Sequence, residues 1–91
     1  MDIASIKEHV EEICSLEDRA DVAGDKGDMF ACHSLDVQKL RMEQLLSRQN
    51  ILILKDKEDD ILHVYIDGKK CLSFNPLEWI WIPVEGAKND V

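Results

Sequence analysis

The chain is short of positive charge. Eleven lysines and arginines stand against nineteen aspartates and glutamates, for a formal net charge of −8 over 91 residues. Nucleic acid binding needs cationic side chains that displace counterions, and an anionic membrane surface attracts the same groups. The balance argues against direct binding to either and makes a basic protein surface the natural electrostatic complement. Long apolar runs are lacking too. The longest, residues 51–54 and 79–84, fall far below the roughly 20 residues that a membrane-spanning helix requires. Met1-Asp2-Ile3-Ala4-Ser5 has neither the basic segment nor the apolar stretch of a signal peptide. Cys14, Cys32 and Cys71 form an odd set, whereas a disulfide framework prefers an even one, so reduced thiols and a cytoplasmic location are expected.

The spacings that carry catalysis or cofactors are missing as well. His9, Cys14, Cys32 and His33 supply nitrogen and sulfur donors, but no CxxC or HxxxH pair occurs. His9 and Cys14 would lie about 140° apart around a helix, so they do not converge on one ion. Asp21, Asp25 and Asp28 flank two glycines but lack the alternate spacing and closing glutamate of a calcium loop. Gly24-Asp25-Lys26-Gly27 lacks the spacing of a phosphate-binding loop. Cys32 beside His33 is no support for a catalytic pair, because such pairs are assembled in space. The expectation is therefore no enzyme, no cofactor and no metal.

What the sequence does contain is a change of hydrophobic period near its middle. Ile3, Ile6, Val10 and Ile13 recur at helical steps, which predicts a helix over about 5–19, started by a Ser5–Glu8 capping box or by Asp2. Residues 21–33 read as a loop pinned to the core by Met29 and Phe30. Ser34 then caps a second helix over about 35–48. Leu35, Met42, Leu45 and Leu46 gather on one side of that helix, with Val37 and Leu40 nearly opposite. Such a helix has two apolar faces, so it is central to the domain or shared with a partner. From Asn50 onward the runs at 51–55, 61–66, 69–74 and 79–84 read as strands. Asp67-Gly68 marks a hairpin, and a three-residue loop ending at Gly68 pairs Val64 with Lys70 and Leu62 with Leu72. Pro83 places the last strand at an edge, and residues 86–91 read as a frayed tail. The predicted architecture is a single α+β domain over 1–91, two N-terminal helices packed on a three- to four-stranded antiparallel β-meander.

Two sets of side chains are candidates for binding. Residues 1–28 hold nine acidic groups and three basic ones. Glu8, Glu11 and Asp18 fall within an arc of about 80° on the first helix, with Glu12 on its flank. Carboxylates along a helix can imitate nucleic acid phosphates, and residues 56–60 (DKEDD) add a second acidic knob. On the sheet, His63, Tyr65, Trp79 and Trp81 are expected on the face opposite Leu62, Val64, Leu72 and Ile80, and such aromatics commonly anchor interfaces. The expected function is a non-enzymatic acidic protein-binding module. Most concretely, it is a small inhibitor that blocks a basic, nucleic-acid-binding surface of a larger protein, a size and charge shared with phage and plasmid counter-defence proteins. The alternatives are an adaptor that homodimerises through Tyr65, Trp79 and Trp81, and a small cysteine–histidine metal protein or enzyme.

Overall fold

Residues 1–82 are described by a computed structural model. Two helices, α1 (Ile3–Asp25) and α2 (Met29–Ser47), precede four strands: β1 (Ile51–Lys55), β2 (Leu62–Ile66), β3 (Lys69–Asn75) and β4 (Ile80–Ile82). The fold is α+β, and the sheet is antiparallel in the order β1-β2-β3-β4. The chain divides into two compact units, Met1–Leu45 and Leu46–Val91. The expected tail at 86–91 and the end of the last expected strand, Pro83 and Val84, lie outside the described residues.

The helix α1 starts at Asp2, whose Oδ1 accepts the Ser5 N–H at 2.8 Å. Of the two expected caps Asp2 therefore prevails, and Ser5 lies inside the first turn. This hydrogen bond holds the Asp2 carboxyl below its ordinary pKa, because the ionised form is the better acceptor. The helix runs 23 residues, well past Arg19. Its buried stripe continues from Ile6, Val10, Ile13 and Cys14 through Leu16, Ala20 and Ala23. Helical period is thus kept across the polar stretch that reads as a loop in sequence.

The real break is three residues long. Gly27 adopts φ +78°, its N–H reaches the Gly24 carbonyl at 3.0 Å, and the Asp28 N–H reaches that of Ala23 at 2.9 Å. These two bonds close a Schellman motif on the last turn of α1. Asp28 then caps α2, its Oδ1 accepting the Ala31 N–H at 3.0 Å. The second helix accordingly begins at Met29, and Ser34 is an interior residue rather than its cap. Met29 and Phe30 do not pin a loop to the core: both lie in the first turn of α2, and Phe30 is 87% exposed. The two helices form an antiparallel hairpin. Near the turn a Cβ placed on Gly24 would lie 3.8 Å from Cys32 Sγ. Further along, Lys39 Nζ meets Glu17 at 3.4 Å and Glu43 at 3.9 Å. Cys32, Leu35, Lys39 and Met42 form the half-buried side of α2, while Leu40 on its far side is exposed.

In the sheet, the β2–β3 connection is a two-residue turn rather than three. Asp67 (φ 52°) and Gly68 (φ +83°) both take positive φ, and Ile66 pairs with Lys69. That combination is the type I′ geometry, whose twist suits a tight hairpin. The register then shifts between Val64 and Tyr65: Tyr65 faces Lys70, whereas Val64 faces Leu72 and Leu62 faces Phe74. Cys71 is the extra residue of a β-bulge. The expected apolar match is thus made by a bulge in β3, and the pairs Val64–Lys70 and Leu62–Leu72 do not form.

Replacing Gly27 by alanine should destabilise the helical hairpin by about 1 kcal/mol, the cost of a side chain in left-handed conformation. No atom lies within 4 Å of the added Cβ, so the loss is conformational. Urea unfolding should show a lowered midpoint with unchanged slope, and Gly27→Asn should lose less.

Candidate functional site

Alternation along the strands sorts the sheet side chains into two faces. Ile51, Ile53, Leu62, Val64, Leu72 and Phe74 share one face by register, with Ile51, Leu62, Val64 and Phe74 buried. Trp81 joins them because it pairs with Phe74. Its ring centroid lies 4.6 Å from that of Phe74, and the Trp79 ring meets Phe74 edge-on at 5.1 Å. Trp79 stands outside the strand, at φ 59°, a backbone region that bulky residues rarely occupy. The Asn75 side chain shapes this turn by accepting the Leu77 N–H at 3.0 Å.

Leu52, Leu54, His63, Tyr65, Ser73, Ile80 and Ile82 occupy the opposite face. The expected aromatic patch of Tyr65, Trp79 and Trp81 therefore does not assemble as one surface: Tyr65 and Trp81 lie on opposite faces. Ile80 likewise stands on the His63 side rather than with Val64. The physical reason is the pairing of Phe74 with Trp81, which turns the alternate β4 residues, Ile80 and Ile82, toward His63.

One polar group on this face is not evident in sequence. His63 Nδ1 lies 2.8 Å from Ser73 Oγ, directly across the β2–β3 ladder. On its other side, His63 Nε2 lies 3.8 Å from Asp56 Oδ2. Serine, imidazole and carboxylate thus stand in the order of a catalytic triad, but Ser73 is 6% exposed and the Asp56 separation exceeds a hydrogen bond. The arrangement satisfies a buried hydroxyl and ties β2 to β3. Among sequence signals, only the matching alternation of the two strands could have brought His63 and Ser73 together.

The acidic candidates are placed differently. Glu8, Glu12 and Asp18 are exposed and Glu11 is half-exposed, all on the one continuous helix α1. Glu8, Glu12 and Asp18 form no ion pair among the described residues, whereas Glu17 faces Lys39. At 100° per residue, Ala4, Glu8, Glu11, Ser15, Asp18, Val22 and Asp25 follow a single stripe. In the acidic knob, two carboxylates shape the turn: Asp56 Oδ1 accepts the Glu58 N–H at 2.9 Å and Asp59 Oδ1 that of Ile61 at 3.1 Å.

The cysteine and histidine candidates are dispersed. Cys14 is buried, Cys32 and Cys71 are partly exposed, and none of the three is in a disulfide. His9 Nδ1 lies 2.7 Å from its own helix carbonyl at Ser5. Among the described residues no group of three or more histidine, cysteine or acidic side chains could hold a metal ion. No described helix is long and apolar enough to cross a membrane.

Replacing Ser73 by alanine leaves the His63 Nδ1 without this partner and should cost about 1–2 kcal/mol. Adding His63→Leu should recover part of that loss, since neither polar group then remains. Urea unfolding of both single variants and the double variant measures the coupling, and strictly additive losses would mean that the two side chains do not cooperate.

Comparison of the chain with protein-family models, with curated proteins and with solved structures finds no match.

Proposed function

We propose that this protein is a non-enzymatic module that binds a basic surface of a larger protein through the acidic face of α1. The observation that carries this reading is the continuity of the helix. Glu8, Glu11, Asp18 and Asp25 lie on one stripe of a single 23-residue helix, on the side away from its buried residues. The stripe from Glu8 to Asp25 is roughly 25 Å long at 1.5 Å per residue. Like charges so arranged weaken a helix by a few tenths of a kcal/mol per close pair, a cost that a cationic partner reverses. Carboxylates spread over that length match several phosphates of a nucleic acid strand, which supports an inhibitor that competes for a nucleic-acid-binding surface. The net charge of −8 favours the same class of partner and disfavours direct nucleic acid binding.

Changing Glu8, Glu11 and Asp18 together to glutamine should weaken capture of the native partner by at least about tenfold, because three charge contacts are lost. Glutamine is a good helix former, so circular dichroism should show an intact helix. Binding of the parent should weaken as salt rises. For the inhibitor reading, the partner's own DNA or RNA must displace this protein. Simultaneous binding without interference would refute competition, and undiminished capture by the triple variant would leave the acidic face with solubility alone.

A further inference from the structure

The strand β1 is an open edge of the sheet, and its sequence is self-complementary. Asp67 N–H donates to the Asn50 carbonyl at 2.9 Å, and Asp56 N–H to that of Ile61 at 2.8 Å. Antiparallel ladders alternate bonded and non-bonded pairs, so Leu52 and Leu54 use their backbone groups toward β2. Ile51 and Ile53 direct theirs outward, and no backbone hydrogen bond meets those N–H groups among the described residues. The strand Ile51-Leu52-Ile53-Leu54-Lys55 carries no proline and no charge before its last residue. Such an uninterrupted apolar edge is a template for a further strand. Its two outward-facing leucines are 54% and 48% exposed. An open groove of about 720 Å³, lined by Ser47, Asn50, Leu52, Leu54, Tyr65 and Gly68, runs beside them.

We propose that this edge pairs with β1 of a second copy, antiparallel about a two-fold axis through Ile53. In that register Ile53 pairs with its own counterpart, and Leu52 of each copy stands beside Leu54 of the other. The four exposed leucines become one apolar cluster, and the outward N–H and C=O groups of the paired Ile53 residues bond to each other. The charges select a second copy in this orientation. One end of the sheet carries Arg48, Lys69 and Lys70 against Asp67, and the other carries Asp56, Glu58, Asp59, Asp60 and Glu78 against Lys55 and Lys57, with Lys55 Nζ 3.8 Å from Asp60. Antiparallel pairing sets the basic end of each copy beside the acidic end of the other, while parallel pairing would set like against like. A self-complementary patch that closes by two-fold symmetry gives a dimer rather than a fibre.

The test uses the full chain in sedimentation analysis from about 5 µM to 1 mM, with folding followed by circular dichroism. The wild type should reach a dimer. Leu52→Lys/Leu54→Lys places like charges at both cross-strand contacts and should weaken it roughly 100-fold, as should Leu52→Glu/Leu54→Glu. An equimolar mixture of the two double variants should restore a dimer, because position 52 of one copy faces position 54 of the other. Both positions are exposed, so the fold should survive; Ile53→Pro, which removes an outward N–H without touching the β1–β2 ladder, is a second disruption. Hydrogen exchange of the wild type adds an independent readout: the Ile53 amide should become protected as concentration rises. A wild type that stays monomeric throughout, a dimer that persists in both double variants, or an Ile53 amide that stays unprotected in the dimer would overturn the proposal. A dimer lost in either variant but not restored on mixing would overturn the register.

Discussion

The extra residue at Cys71 decides what the sheet can present. The type I′ turn at Asp67 and Gly68 alone would set Val64 opposite Cys71 and Leu62 opposite Ser73. With one residue bulged out, Leu72 and Phe74 come opposite Val64 and Leu62 instead. Phe74 thereby enters the buried face, and Trp79 and Trp81 pack against its ring. The same shift places Ser73 across from His63, where its buried hydroxyl finds a partner. It also leaves Leu52, Leu54 and Ile80 together on the other, more exposed face. A one-residue slip would invert each of these assignments, because side chains alternate with a period of two.

This constraint explains which parts of the sheet were legible in the sequence. Strand positions follow from β-branched and aromatic runs between turn signals, and all four runs form strands. Face assignment needs the register, and register depends on both loop length and bulges. Giving Leu62 an apolar cross-strand partner is the right physical demand, but a longer loop, through Leu72, and a bulge, through Phe74, satisfy it equally in a one-dimensional pattern. The two solutions diverge at Lys70 and Cys71, where side-chain polarity does not discriminate well. The two registers differ by two residues, so Leu72 keeps its face in either, and Trp81 leaves the Tyr65 side because of the β3–β4 pairing of Phe74 with Trp81, which no turn signal in the sequence sets.

The helices show the complementary difficulty. The apolar stripe of α1 was visible from Ile3 to Ile13, and its extension through Leu16, Ala20 and Ala23 obeys the same period. Three acidic residues and two glycines between 18 and 27 obscured it, since such residues usually mark loops. Gly24 lies inside the helix and close to Cys32, while Gly27 alone takes the left-handed conformation that ends it. The following Asp28 had the makings of an N-cap, but the polar context hid it. The consequence reaches the candidate site: the longer helix joins Asp25 to the stripe of Glu8, Glu11 and Asp18.

The acidic stripe and the β1 edge answer to different forces. Attraction between carboxylates and a cationic partner falls as the Debye length shrinks, from about 10 Å at 0.1 M salt to 3 Å at 1 M. Contact between Leu52 and Leu54 across a strand pair is apolar, and it does not weaken on screening. Two copies that each carry −8 also repel one another at long range, and salt relieves that repulsion. The local match of Arg48 with the acidic turn is screened too, but it sits at the rim of the pairing rather than at its leucine centre. High salt therefore separates the two proposed surfaces: it opposes capture of a basic partner by α1 and leaves β1 self-pairing in place. A protein using both would be dimeric in either condition, yet would hold its partner only when the charges can see each other. Two acidic stripes carried on one dimer would engage a repeated basic surface together, and their combined affinity would then depend on how far apart that surface sets its binding sites.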